Sequence, residues 1–353
     1  MIELMALDSE FNIVSLLNYT NLQWSRKYYE SGTFSVEIPA GQYNADMAYI
    51  YTKDRPELGR ITQKNYCIKQ GAHTVNLSGY FLEEDLNAMV AYQPASSTNI
   101  TNAPTWALAS GKAENVAFTF FNSFKEVTID GTTYSLGITA GTSQGRGAQA
   151  EHQRGNQYLG NKIYTILKPS LMSYRVRYDW DTSERTFECW RGVDRTQDNT
   201  EQNNPIIFST AYGNLDNVDL LLATTEHKNG YISVGKDGDN IYVEGASENT
   251  EAMRDKFLYV GSNANIGDYD SEADFIEAIK VDGHEGLLDK TKTVSLEFDT
   301  IQSSYEYLVD FDLGDVCSLE IPEITLSMDA VISAIYEVAK KGTWQMTMEL
   351  TTL

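Results

Sequence analysis

Apolar and polar positions alternate with a period of two through much of this chain, the signature of half-buried β-strands. The pattern is clearest near the end. Tyr305, Tyr307, Val309 and Phe311 alternate with Glu306 and Asp310, which predicts a strand. Asp312-Leu313-Gly314-Asp315 reads as a tight turn, and Cys317, Leu319 and Ile321 resume the alternation until Pro322 stops it. Residues 329–339 also fit a helix by period alone, but their Val, Ile and Tyr content favours strand. Lys340-Lys341-Gly342 then turns the chain into Trp344, Met346, Met348 and Leu350, all on one face. Together these stretches predict a compact antiparallel unit of four strands.

The beginning reads the same way. Residues 22–29 and 33–38 flank Glu30-Ser31-Gly32, a hairpin turn with glycine where a positive φ is cheapest. Residues 61–69 and 72–78 form a second hairpin around Gln70-Gly71. Leu82, Leu86, Met89 and Val90 then share the face of a helix that ends before Pro94.

The middle differs. Its spacing predicts a short helix over 105–110, strands over 118–129 and 133–138 joined at Asp130-Gly131, and a mobile Gly/Gln-rich loop over 141–155. Asn156 is placed to cap a helix with the face Leu159, Ile163, Ile166 and Leu167, stopping at Pro169. Met172, Tyr174, Val176 and Tyr178 start a hairpin that returns through Phe187 and Cys189. Strands resume at 206–209, 218–224, 231–234 and 241–243. An acidic excursion follows at 247–290, where Ser271-Glu272-Ala273-Asp274 opens a helix with the face Phe275, Ile276 and Ile279. Residues 293–298 alternate again.

The pattern therefore predicts a mainly β protein with α/β insertions. A first β domain with a trailing helix covers 1–95, an α/β insertion 96–204, and a second β domain 205–353. Ser35-Val36-Glu37-Ile38-Pro39 is echoed by Ser318-Leu319-Glu320-Ile321-Pro322, each preceded by a glycine turn. Duplication of a β unit is one reading of this echo and chance is the other.

Composition adds constraints. With 353 residues and 42% apolar content the chain can bury more than one core. No apolar run approaches 18 residues, and Met1-Ile2-Glu3-Leu4 lacks the basic start of a signal peptide. Cys67, Cys189 and Cys317 lie far apart in strand-like stretches, so reduced buried thiols are expected. Net charge is −23. It is uneven: residues 1–200 hold 18 Lys and Arg against 21 Asp and Glu, and residues 201–353 hold 9 against 29. Such a field opposes nucleic-acid binding, which needs cations for phosphate contacts.

No catalytic pattern emerges. His73, His152, His227 and His284 are scattered, and Glu151-His152 lacks the helical spacing of a zinc site. Asp179, Asp181 and Ser183, and Asp268, Asp270, Glu272 and Asp274, have calcium-like spacing. A hairpin turn and a helix start explain them as well. Trp180 and Trp190 fit sugar stacking or ordinary packing. No cofactor is expected.

Several stretches in order resemble the siphophage tail-tip hub family, which is similar in fold to baseplate hubs and to the amino-terminal part of tail-associated lysins. They are Tyr28-Tyr29-Glu30-Ser31-Gly32-Thr33-Phe34 with Ile38-Pro39-Ala40, Gly79-Tyr80-Phe81-Leu82-Glu83, Ile206-Ile207-Phe208-Ser209 with Tyr231-Ile232-Ser233-Val234-Gly235, and Asp310-Phe311-Asp312-Leu313-Gly314-Asp315-Val316. Gly32, Phe34, Pro39, Gly314 and Asp315 carry the motifs. The resemblance implies two β-barrel-like tube domains, smaller domains outside them, and a homotrimer in the virion, assembled in the bacterial cytoplasm. Its partners would be a distal tail ring above and tip or receptor-binding proteins below, with DNA passing through without specific binding. Many relatives continue into a lysin, whereas this chain stops at Leu353, so no enzymatic activity is expected. A cell-wall or carbohydrate-active enzyme and a soluble carbohydrate-binding module are the alternatives. Acidic residues would repel DNA from a channel wall, and Glu297, Glu306, Asp310, Asp312 and Asp315 are the candidates.

Overall fold

The computed structural model describes residues 2–69, 71–92, 99–153, 155–247, 256–288, 290, 293–300, 305–340 and 342–352, with only the backbone of 69, 216, 293–300 and 352. The chain is mainly β, with three α-helices and several short 3₁₀ turns among the described residues. It forms two compact units. One comprises Met1–Glu84, Arg175–Leu221 and Ser295–Leu353, and the other Asp85–Tyr174 and Leu222–Val294.

The first unit is organised by a sheet that runs through both ends of the chain. Its early strands are β1 (Leu4–Leu7), β2 (Ile13–Leu17), β3 (Asn21–Lys27), β4 (Thr33–Pro39), β5 (Tyr49–Tyr51), β6 (Gly59–Lys69) and β7 (Ala72–Phe81). They lie in the order β3-β4-β7-β6-β5-β1-β2. The alternation in β3 and β4 puts Leu22, Trp24, Phe34, Val36 and Ile38 into one core with Leu77 and Phe81. The closing strands Val316–Ile321, Leu326–Lys340 and Thr343–Thr352 pair antiparallel as expected. The strand 326–340 then pairs antiparallel with β3, Tyr336 opposite Ser25. Asp194–Arg195 and Ile207–Ser209 run parallel to 316–321. That strand is consequently buried on both faces, not half-buried.

Two expectations fail in this unit. Residues 305–311 are not a strand: Tyr307 and Phe311 bridge across a turn with Leu308 at φ 67°. Asp310 closes the turn by accepting from the Glu306 N–H at 2.7 Å, so the period-2 pattern meets no partner strand. Gly32 does not take a positive φ either. It is glycine because a Cβ would lie 2.4 Å from the Ser25 carbonyl oxygen and 2.5 Å from the Phe81 ring.

The second unit contains the helices α1 (Ala113–Phe124), α2 (Leu159–Leu167) and α3 (Glu272–Leu288). Residues 118–124 belong to α1, not to a strand. Val116, Ala117, Phe120, Phe121 and Phe124 repeat at three and four residues and are buried, and this stripe overrides the β preference of phenylalanine. Residues 108–112 are a strand where a helix is predicted. That strand pairs with Gln149–Gln153, so the loop over 141–155 is in part a packed strand; Arg154 lies outside the described residues. Asp130 and Gly131 take φ of 50° and 78° and make the expected hairpin turn. The helical face from Leu82 is a 3₁₀ segment, Leu82–Ala88, and Val90 instead joins a bridge with 157–158 and stays exposed. Pro94 lies outside the described residues. Those same bridge residues displace Asn156 from the cap of α2, which begins after Tyr158 without a side-chain cap. The cap of α3 is as predicted: Ser271 Oγ accepts from Asp274 N–H at 3.2 Å. Phe275 and Ile279 pack beneath it with Ala278.

Candidate functional site

Four of the five candidate carboxylates, together with Gly314, lie on the segment 305–315 of the first unit. Arg26 on β3 is almost fully buried and collects three partners. Its Nε donates to Glu57 Oε1 at 2.6 Å, and one terminal nitrogen donates to Tyr307 Oη at 2.6 Å and Asp312 Oδ1 at 2.5 Å. Arg55 holds Glu337 on the 326–340 strand through two hydrogen bonds, and its guanidinium lies 5.1 Å from the Tyr307 ring centre. Asp315 is 4% exposed and accepts from Val193 N–H at 2.7 Å, Arg195 Nε at 2.8 Å and Asp312 N–H at 3.1 Å. Gly314 makes this possible: it sits at φ +83°, and a Cβ there would meet the Tyr28 ring at 2.5 Å.

Burial shapes the charges. It pushes the Glu57 carboxyl up, with the Arg26 guanidinium pulling the other way. It also pushes Asp315 up, against the hydrogen bonds from Arg195 and Val193. For Arg26, burial disfavours the cation, but Glu57, Tyr307 and Asp312 outweigh it and hold the guanidinium charged.

Of the five candidate carboxylates, Asp312 and Asp315 are therefore directed onto arginines of the same unit. Glu306 is exposed and Asp310 is half-buried, bonded to backbone. The Glu297 side chain lies outside the described residues, although its backbone pairs with Glu349. Phe34 packs in the core with its ring over Gly59, and Pro39 ends β4.

A second cluster, in the other unit, has no counterpart in the sequence reading. Lys162 on α2 is wholly buried and donates to Glu285 Oε2 on α3 at 2.6 Å. His152 Nδ1 lies 2.9 Å from Glu285 Oε1, which also accepts from Gln153 N–H at 2.9 Å. Gln153 in turn accepts from Tyr269 Oη and donates to the Ala278 carbonyl. Burial lowers His152 against the pull of Glu285; burial alone would raise Glu285, but Lys162 and His152 hold it low. A cavity of about 430 Å³ opens beside His152, lined also by Glu151, Tyr231, Lys280 and His284. One signal was legible: Lys162 stands on the apolar stripe of Leu159, Ile163 and Ile166, and a buried lysine demands an acid. Nearby, Arg146 binds Glu114 of α1 through its backbone N–H at 2.8 Å and its guanidinium.

Among the described residues no group of three or more His, Cys, Asp or Glu is arranged to hold a metal ion. Asp179 accepts from the N–H groups of Asp181 and Thr182, closing a turn. Trp180 packs against Tyr51 and Tyr178. No described helix is long and apolar enough to cross a membrane.

A family model described as Siphovirus ReqiPepy6 Gp37-like protein matches residues 3–351. No curated protein matches the chain. Among solved structures, the chain is similar to a tail protein from Neisseria meningitidis MC58 (9% identity, TM-score 0.57, covering 99% of this chain and 96% of that one). It is also similar to the 43 kDa tail protein of prophage MuSo2 from Shewanella oneidensis (11% identity, TM-score 0.57, covering 99% and 98%). A third likeness is to prophage tail protein gp18 from Listeria monocytogenes EGD-e (12% identity, TM-score 0.52, covering 99% and 94%). At these identities the likeness is one of fold.

Proposed function

We propose that this chain, which belongs to the Siphovirus ReqiPepy6 Gp37-like protein family, is the hub that closes the distal end of a phage tail tube and scaffolds the tail tip. The observation that carries the hub reading is the pairing of β3 with the strand Leu326–Lys340. It joins the first and last β regions into one sheet, so each chain offers two β regions to a tube wall. Three copies would offer six, the number that matches a six-fold tube, and a homotrimer follows. In this reading residues 1–95 and the sheet-forming parts of 205–353 supply two tube-type, barrel-like domains, and of the insertion at 96–204 the strand Asp194–Arg195 belongs to the same sheet. The protein works in the virion after assembly in the host cytoplasm, held between a distal tail ring and tip or receptor-binding proteins, and it catalyses nothing.

The channel assignment narrows to Glu306 and Asp310, since Asp312 and Asp315 are engaged by Arg26 and Arg195 and the Glu297 side chain lies outside the described residues. These carboxylates would keep the lumen negative so that DNA passes without counterion-releasing contacts. Density of the intact tail tests both parts. Three copies at the tip with Glu306 and Asp310 towards the lumen are expected. One or six copies would overturn the hub trimer, and a basic inner wall would overturn the channel assignment alone.

A further inference from the structure

The three-stranded sheet of the second unit is apolar on both faces, and among the described residues only one is covered. Its central strand Gly230–Asp237 pairs antiparallel with Asn240–Ser247 and parallel with Phe257–Gly261. On the inner face Tyr231 and Gly235 lie under α3, so close that a Cβ on Gly235 would strike Ile279 and one on Gly283 would strike Tyr231. On the outer face the register groups Ile232, Val234, Ile241, Val243, Phe257 and Tyr259. Five of these are between 43% and 72% exposed. Taking ~200 Å² for each such side chain, they present roughly 600 Å² of apolar surface. That is the upper end of what soluble monomers expose.

Two further observations favour a second copy of this chain as its cover. Among the described residues this face contains no carboxylate, and its one charge is Lys236, opposite Ile241. A chain of net charge −23 meets a second copy with least repulsion where acidic side chains are missing, and this face is such a place in the half of the sequence that carries 29 acids. Gly261, opposite Val234, has no positive φ and open space where a side chain would stand. Among the described residues nothing forbids a side chain there, and a glycine inside a strand often marks the close approach of another backbone.

We propose that a neighbouring copy of this chain packs on the outer face of this sheet in the ring, an inference that rests on the trimeric reading above. The apolar area supplies most of the ~800 Å² per partner of a standard interface. Neighbouring copies therefore meet through the acid-free face, while their acidic surfaces remain in solvent.

The test uses the full chain in sedimentation equilibrium over about a hundredfold range of concentration. Tyr259→Asp and Ile241→Asp place a charge on the face at exposed positions, Gly261→Trp fills the open space above it, and Tyr134→Asp is a control on an exposed site elsewhere. The wild type and the control are expected to form trimers. Each of the three face variants should raise the dissociation constant at least about tenfold, with an unchanged circular dichroism spectrum. Face variants that trimerise like the wild type overturn this inference and leave the trimer standing. A wild type that stays monomeric throughout overturns the trimeric reading and this inference together.

Discussion

The two compact units each bury a charge cluster, and the clusters are built from different chemistry. In the first unit the cations are arginines, which stay charged at any working pH, and the groups that titrate are carboxyls pushed upwards by burial, Glu57 and Asp315. In the second unit the cation is Lys162, and the groups beside it, His152 and Glu285, are both held low. A folded-state pKa above the unfolded one gives stability that is present below the unfolded value and lost as pH rises through the folded value. A folded-state pKa below the unfolded one gives stability that is present above the unfolded value and lost as pH falls. The clusters thus lean in opposite directions, with Asp282, raised by burial, partly opposing the lean of the second.

Removing the buried lysine should separate the two clusters most. Lys162→Met leaves Glu285 without its cation and should destabilise the second unit by about 3–5 kcal/mol, with much of the loss recovered in Lys162→Met/Glu285→Leu. Trp106 stands on Phe120 in that unit, and the other four tryptophans lie in the first. Denaturant unfolding followed through Trp106 alone should shift, and an unchanged midpoint would show that Lys162 carries little of the packing.

Arg26→Met is the matching change in the first unit. It should cost about 2–4 kcal/mol at neutral pH and less at mildly acidic pH, because Glu57 then takes a proton instead of remaining a buried anion. Melts at two pH values check this. A cost that does not fall in acid would mean that a buried Glu57 anion is not what the substitution leaves behind.

The smallest effect is the pH slope itself. Lowering the pH from just above neutrality through the range of an unperturbed histidine should weaken the second unit, since folding must keep His152 neutral. His152→Gln should flatten that slope without affecting the first unit. An equal slope in the variant would assign it to other groups.

How much was legible follows from where the deciding interaction lies. The hairpins at Gly71 and Gly131 were legible because turn residues with positive φ and flanking alternation are local facts. So was the cap of α3, where Ser271 and Asp274 are three residues apart. α1 was misread because its phenylalanines satisfy two patterns, and only the burial of the 3–4 stripe against α2 chooses between them. Residues 149–153 carry little apolar signal, yet they form a strand because 108–112 offers them a ladder.

The β character, most of the hairpins and the closing strands were readable from the chain alone, because they rest on neighbours within a few residues. The chain also carried the order of motifs that resembles a tail-protein family. It took long-range packing to pair 326–340 with β3, to turn Asp312 and Asp315 onto arginines, and to bring His152 and Lys162 to Glu285. Those pairs are separated by more than a hundred residues, apart from the ten between His152 and Lys162, and no local propensity encodes them. A buried charge states in the sequence that it needs a partner, and only the fold says which one.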